Sequence, residues 1–217
     1  MDEDTYWEAV RTTRLRVADL LESLSPAEWD APSLCDGWRV RDVAGHLSCV
    51  PIITGWDLIS VAPRARFDPN RINTLLAVHH GSRHMHEVVA HLREHAADRR
   101  TARVLDTRNA LFDVIVHSQD IAVPLGREFP VPAHYSREGL QRVWSMGWPF
   151  RAKRRFAGLS LRATDTGWAV GNGPEIAGSA LILLLLLTGR SAVAVPSLHG
   201  PGLALLETRH RPSTFTT

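Results

Sequence analysis

Residues 109–123 read NALFDVIVHSQDIAV, an apolar run broken at Asp113, His117 and Asp120. Four positions separate Asp113 from His117, which in a helix puts both on one face, close enough to share a ligand. Leu111, Phe112, Val114, Ile115 and Val116 surround them. A charged group in such a setting must find a partner or face a cleft, because burying it unpaired is too costly. Asn109 and Asp120 extend the same polar stripe. Asp106 can cap this helix, which is expected over Thr107–Val123 and is halted by Pro124 and Gly126.

Working outward, the chain on the N-terminal side reads as more helices. Trp7, Val10, Leu15, Val17, Leu20, Leu21 and Leu24 recur at helical spacing and predict a first long helix. Ser25-Pro26-Ala27-Glu28 is a capping box with Pro at the first helical position, so a short helical turn is expected there. A loop over Asp30–Trp38 leads to a second helix opening at Val40, which carries Asp42, Val43, His46, Leu47 and Val50 before Pro51 interrupts it. Asn70 is the expected cap of a third helix running to about Asp98, and a fifth is expected over Tyr135–Trp148.

Beyond residue 150 the texture changes. Leu159–Thr164 alternates like a strand, Asp165-Thr166-Gly167 reads as a turn, and a second strand comes next at Trp168–Val170. Gly173-Pro174-Glu175 is read as the start of an apolar helix ending at Thr188-Gly189, and Leu203–Leu206 as a closing strand. These patterns predict a mainly α protein: a helical bundle over residues 1–150 and a small α+β annex over 151–217.

Composition sets the outer bounds. The chain has 217 residues, 44% hydrophobic and 22% charged, enough for a substantial core without staples. Twenty-five Lys and Arg are interspersed with 23 Asp and Glu, a net charge of +2, so no nucleic-acid-binding field is expected. The acidic start, Met1-Asp2-Glu3-Asp4, has no apolar run behind it and does not read as a signal peptide. The longest apolar run, Ala180–Leu187, is far below the roughly 18 residues of a membrane span. Two cysteines, Cys35 and Cys49, do not make a disulfide framework, so a cytoplasmic location is expected. The expected assembly is a monomer or a homodimer.

His46 lies mid-helix among apolar residues, as Asp113 and His117 do. Two nitrogens and one carboxylate from neighbouring helices would leave coordination positions open, which suits a catalytic ion. Other readings remain open on spacing alone. An Asp/His pair four apart can be a local hydrogen bond, and a single buried histidine is commonly a satisfied core residue. His80 with His84 and His91 with His95 also have ligand spacing, though the polar residues around them point to a solvated face. Asp42 is read as serving the N-terminus of its own helix, and Cys35 and Cys49 as small buried residues.

The segment WDAPSLCDGWRVRDVAGHL, residues 29–47, resembles the N-terminal signature of the actinobacterial mycothiol-dependent maleylpyruvate isomerase family, within the wider DinB-like metalloprotein superfamily. Asp113–Gly126 is similar to that family's second metal motif. FAGLSLRATDTGW at 156–168, GNGPEIAG at 171–178 and LTGR at 187–190 resemble the short C-terminal region of many members. The resemblance implies a DinB-like four-helix bundle holding a divalent metal, zinc being the expected ion, through His46, Asp113 and His117. Two departures stand out. The characterised isomerase type has Glu where this chain has Asp113, and Arg39 stands where members often carry a capping Thr or Ser.

The chemistry so implied uses mycothiol as a thiol cosubstrate against a small electrophile, in a transferase or isomerase reaction with a metal-activated thiolate as nucleophile. Asp120, one turn beyond His117, is a candidate acid/base group or a support for the histidine, with local capping as the alternative. The residues that would bind the thiol are not legible. Two other functions fit the same ligands: a metal-dependent hydrolase using bound water, and a non-catalytic metal or small-molecule binding protein.

Overall fold

In a computed structural model the described residues are 1–99 and 106–210. They form two compact units, Met1–Pro130 and Val131 onward. The packing thus divides the chain about twenty residues before the change in texture, because the helix at Ala133–Ser145 packs against the apolar helix at Ala180–Leu187.

The first unit is built on α1 (Glu3–Glu22), α2 (Pro26–Trp29), α3 (Val40–Cys49), α4 (Gly55–Val61), α5 (Pro69–Gly81), α6 (Met85–Glu94) and α7 (Ala110–Ala122). Asp2 caps α1 by accepting from the Thr5 N–H at 2.9 Å. Its apolar stripe, including Val10, Val17 and Leu21, is fully buried. The capping box of α2 forms as expected, with Ser25 and Glu28 exchanging hydrogen bonds of 2.8 and 3.3 Å. α3 is the central helix: nine of its ten residues are buried. It packs against α5, α6 and α7, while α1 packs against α6 and α7. The ring α1–α6–α3–α7 is the four-helix bundle, and α5 covers the outer side of α3.

The expected third helix is two helices. Asp68, not Asn70, is the cap of α5, accepting from the N–H groups of Asn70 and Arg71 with Pro69 at the first position. The break falls at Ser82–His84, directly after Gly81, where α5 touches α3. A Cβ on Gly81 would strike the carbonyl of Arg41, and one on Gly45 would strike the backbone of Gly81 and Ala77. Helices this close meet only through glycine, and the chain turns away directly after the contact. α4, with a Thr54/Asp57 capping box, comes after the break that Pro51 imposes on α3.

The second unit holds α8 (Ala133–Ser145), α9 (Ala152–Arg155), a three-stranded sheet, α10 (Ala180–Leu187), α11 (Ser191–Ala194) and α12 (Gly202–His210). The strands β1 (Ser160–Ala163), β2 (Ala169–Gly171) and β3 (Glu175–Gly178) lie in the order β2-β1-β3, with β1 antiparallel to β2 and parallel to β3. A three-residue link from β2 to β3 passes beneath the start of β1. Gly171 and Gly173 have φ of +79° and +124°, and a Cβ on either would hit the carbonyl of Leu159 or Gly158.

Two expectations for this unit are corrected. Glu175 begins a strand, not a helix: it pairs with Arg162 across the sheet at 2.8 Å, while Ile176, Ala177 and Gly178 are buried. The helix starts only at Ala180, where Ser179 accepts from the Ile182 N–H and Asp165 accepts from the Ala180 N–H at 2.8 Å. The second correction concerns Leu203–Leu206, which belongs to α12. A run of four residues carries no period long enough to tell strand from helix. Among the described residues, no helix is long and apolar enough to cross a membrane.

Candidate metal centre

His46 is carried by the last turn of α3, and Asp113, His117 and Asp120 by α7, which packs against it. The Nε2 of His46 lies 3.3 Å from Asp113 Oδ2, and the Nε2 of His117 lies 3.6 Å from Asp113 Oδ1. The two imidazole centroids are 4.7 Å apart in an edge-to-face arrangement. All three ligand atoms fall within 4.8 Å of one another. A tetrahedral ion with bonds of about 2.0–2.1 Å sets its ligand atoms roughly 3.3 Å apart. The residues present therefore fit a divalent ion of zinc size. Asp113, with the shorter side chain, still reaches both histidines.

The electrostatics agree with a carboxylate held ionised. Partial burial pushes the Asp113 carboxyl upward, yet the charges of His46 and His117, the His46 hydrogen bond and Arg14 hold it down at about 2. Arg14 lies on α1 and is only 5% exposed. Its Nη1 donates to the carbonyls of Ala96 at 3.2 Å and Asp98 at 2.9 Å, just past the end of α6. Nothing in the local sequence marks Arg14 as buried, since its partners are backbone carbonyls some eighty residues away.

Asp120 is fully buried and takes up the other nitrogen of His117: Oδ2 accepts from Nδ1–H at 2.8 Å. That hydrogen bond selects the tautomer whose Nε2 lone pair points to Asp113. The Cys35 thiol also donates to Asp120 Oδ2, at 3.0 Å. Trp38 completes the wall, its ring stacked on His117 at 6.3 Å and tilted against His46 at 5.7 Å. Neither Cys35 nor Trp38 is marked out by spacing, because the 30–39 loop is brought to α7 by folding. Its anchor is the Leu34 N–H, which donates to the Asp120 carbonyl at 3.1 Å.

The competing histidines lie elsewhere. His80 on α5 and His91 on α6 are partly buried, and the Nδ1 of each is buried without a hydrogen-bond partner. Burial, then the charge of Arg83, lowers His80 to about 4. Among the described residues these histidines form no three-ligand group with the geometry of the His46 site. Asp42 serves the start of α3, accepting from the Arg39 N–H at 2.9 Å and so supplying what the Arg39 side chain does not. Cys49 is buried and donates to the His46 carbonyl at 3.3 Å.

A helical bundle that sets two histidines and an acid from adjacent helices around one point defines a DinB-like fold with a candidate metal centre. Residues 10–108 match the model described as the mycothiol maleylpyruvate isomerase N-terminal domain. Two solved structures are similar in fold along nearly the whole chain. A histidine-to-alanine mutant of the mycothiol-dependent maleylpyruvate isomerase superimposes with a TM-score of 0.64 at 14% identity, covering 93% of each chain. A further structure of that isomerase gives 0.58, again at 14% identity and 93% coverage of each chain. No curated protein matches the chain.

Proposed function

We propose that this chain is a divalent-metal-dependent enzyme that uses mycothiol to isomerise, or to be transferred to, a small electrophilic substrate. The observation that carries the reading is the convergence of His46 Nε2, Asp113 and His117 Nε2 within 4.8 Å across two helices. The match of residues 10–108 to that family model supports the thiol and the isomerase chemistry. Zinc is the ion to test first, because two imidazoles and one carboxylate suit it.

In this reading His46 and His117 present neutral nitrogens, Asp113 supplies the negative charge, and Asp120 fixes the His117 ring. A divalent ion held by these three side chains would supply the positive charge that keeps a nearby thiol ionised at neutral pH. Trp38 packs against the histidine pair. Mycothiol bound beside this centre would supply the thiol whose reversible addition to a conjugated double bond allows rotation about it. No net oxidation occurs and the thiol is regenerated.

The test combines metal content with thiol dependence. Purified protein is expected to hold about one divalent ion per chain, with most of it lost in His117→Ala. The loaded protein is expected to bind mycothiol by calorimetry and to convert maleylpyruvate only when mycothiol is present. Ester or amide hydrolysis independent of mycothiol would favour the hydrolase instead. Absence of metal after gentle purification, with no rise in melting temperature on adding zinc, would overturn the centre itself.

A further inference from the structure

The imidazole of His117 has two ring nitrogens, and each faces a different set of potential ligands. Nε2 looks toward Asp113 and His46. Nδ1 lies 2.8 Å from Asp120 Oδ2 and 3.7 Å from Cys35 Sγ, and Sγ lies 3.0 Å from the same Asp120 oxygen. These three atoms fall within 4.8 Å of one another. We propose that Cys35, Asp120 and His117 Nδ1 form a second ligand set, one that takes a thiophilic divalent cation. The proposal shares His117 with the site above but does not depend on its catalytic reading.

Geometry and charge both favour it. An ion bonded at about 2.3 Å to sulfur and 2.0–2.2 Å to nitrogen and oxygen separates its ligand atoms by roughly 3.3–3.6 Å. The sulfur–nitrogen separation is already there, and the two distances to Asp120 need to open by about half an ångström. The cysteine is delivered by a loop with its own bracing. Ser33 Oγ accepts from the Cys35 N–H at 3.1 Å and donates to the Trp38 carbonyl at 2.9 Å, and the Trp38 N–H donates to the Cys35 carbonyl at 3.0 Å. The Leu34 N–H, bonded to the Asp120 carbonyl, ties that loop to α7 beside its partner ligand. A thiolate, a carboxylate and a neutral imidazole balance a 2+ ion in this buried setting, whereas His46, Asp113 and His117 leave one positive charge over. The soft sulfur further biases this set toward thiophilic ions.

Occupancy has a consequence for His117. On binding, Cys35 loses its thiol proton to solvent and Nδ1 must present a lone pair. The ring proton then sits on Nε2, facing Asp113 Oδ1 at 3.6 Å. A neutral His117 therefore serves one set at a time, and an ion in the sulfur-containing set excludes one from the other.

Cadmium alone is the probe, titrated into the metal-free full chain while the ultraviolet thiolate-to-cadmium charge-transfer band is monitored. The band is expected to saturate at one cadmium per chain, to vanish in Cys35→Ser, and to persist in Cys49→Ser and in Asp113→Asn. Absence of the band in the unmodified protein, its survival in Cys35→Ser, or its loss in Cys49→Ser or Asp113→Asn would each overturn the proposal. Should Cys35→Ser fail to fold, X-ray absorption of the cadmium-loaded unmodified protein decides: one sulfur bound to cadmium supports the second set and none refutes it. A chain that shows the band but neither binds mycothiol nor turns over maleylpyruvate or a general electrophile with it would sink the proposed function and leave this inference standing.

Discussion

Replacing Gly45 by alanine sets two effects of opposite sign against each other, and the packing of α3 on α5 decides between them. Alanine is a better helix former than glycine by about 0.8–1.0 kcal/mol, so on propensity alone the variant would be more stable. The added Cβ, however, would meet the backbone N of Gly81, the carbonyl of Ala77 and, at 2.7 Å, Gly81 Cα. Backbone cannot rotate aside as a side chain can, so the two helices must separate. Overpacking of this kind costs about 1–3 kcal/mol, and the rigid obstacle places this case near 3. The net loss is then about 2 kcal/mol, and for a chain of this length each kcal/mol moves the melting temperature by about 2–4 °C. Gly45→Ala is thus expected to melt about 4–8 °C below the unmodified protein by calorimetry. Gly55→Ala is the control: Gly55 lies in the first turn of α4 with nothing within 4 Å of a built Cβ. It should melt at or slightly above the unmodified protein. If Gly45→Ala also melts at or above it, the close approach of α3 and α5 is not what the chain forms.

Three further outcomes can be checked. Asp120→Asn keeps the shape of the buried side chain but weakens the acceptor that orients His117, so zinc affinity should fall by about 10- to 100-fold in a chelator competition with the fold retained. His80 is held below its ordinary value of 6.5, at about 4, by burial first and then by Arg83, so the unfolded chain binds more protons between these values. Stability should therefore fall as pH drops from 6.5 toward 4, and denaturant midpoints of His80→Gln should show a shallower decline. Burial pushes the Cys49 thiol up to about 12. Mass spectrometry should find it unmodified after native alkylation at pH 8 and modified once the chain is unfolded.

The polar breaks in the apolar run at 109–123 made α7 and its Asp113/His117 face readable, because four-residue spacing is a local property of the helix. His46 was readable for the same reason, as a polar residue inside an apolar helix. What lay beyond reach depended on distant chain. Gly81, after which α5 ends, is held against the carbonyl of Arg41, forty residues earlier, and no cap or proline announces the break. Arg14 looks like an exposed helix residue until the carbonyls past α6 arrive to receive it. The charged residues beside His80 and His91 suggest a solvated face, yet packing in the bundle leaves both half-buried. The strand at Glu175–Gly178 was hidden by Gly173-Pro174, which suits the start of a helix as well as a tight crossing. Cys35 met Asp120 only through a loop closure spanning 85 residues.

The eight residues of α10, ALILLLLL, have no polar face, and from Leu183 to Leu187 all are buried, with α8 as the principal neighbour. For anyone dividing this protein for expression, that pairing matters more than the visible change in composition. A cut after residue 150 would leave α8 on one product and the leucine helix on the other, with a greasy surface bare on both. Such fragments invite aggregation and capture by chaperones. A cut between Pro130 and Val131 keeps the two helices together, and it is there that a soluble C-terminal piece should first be sought.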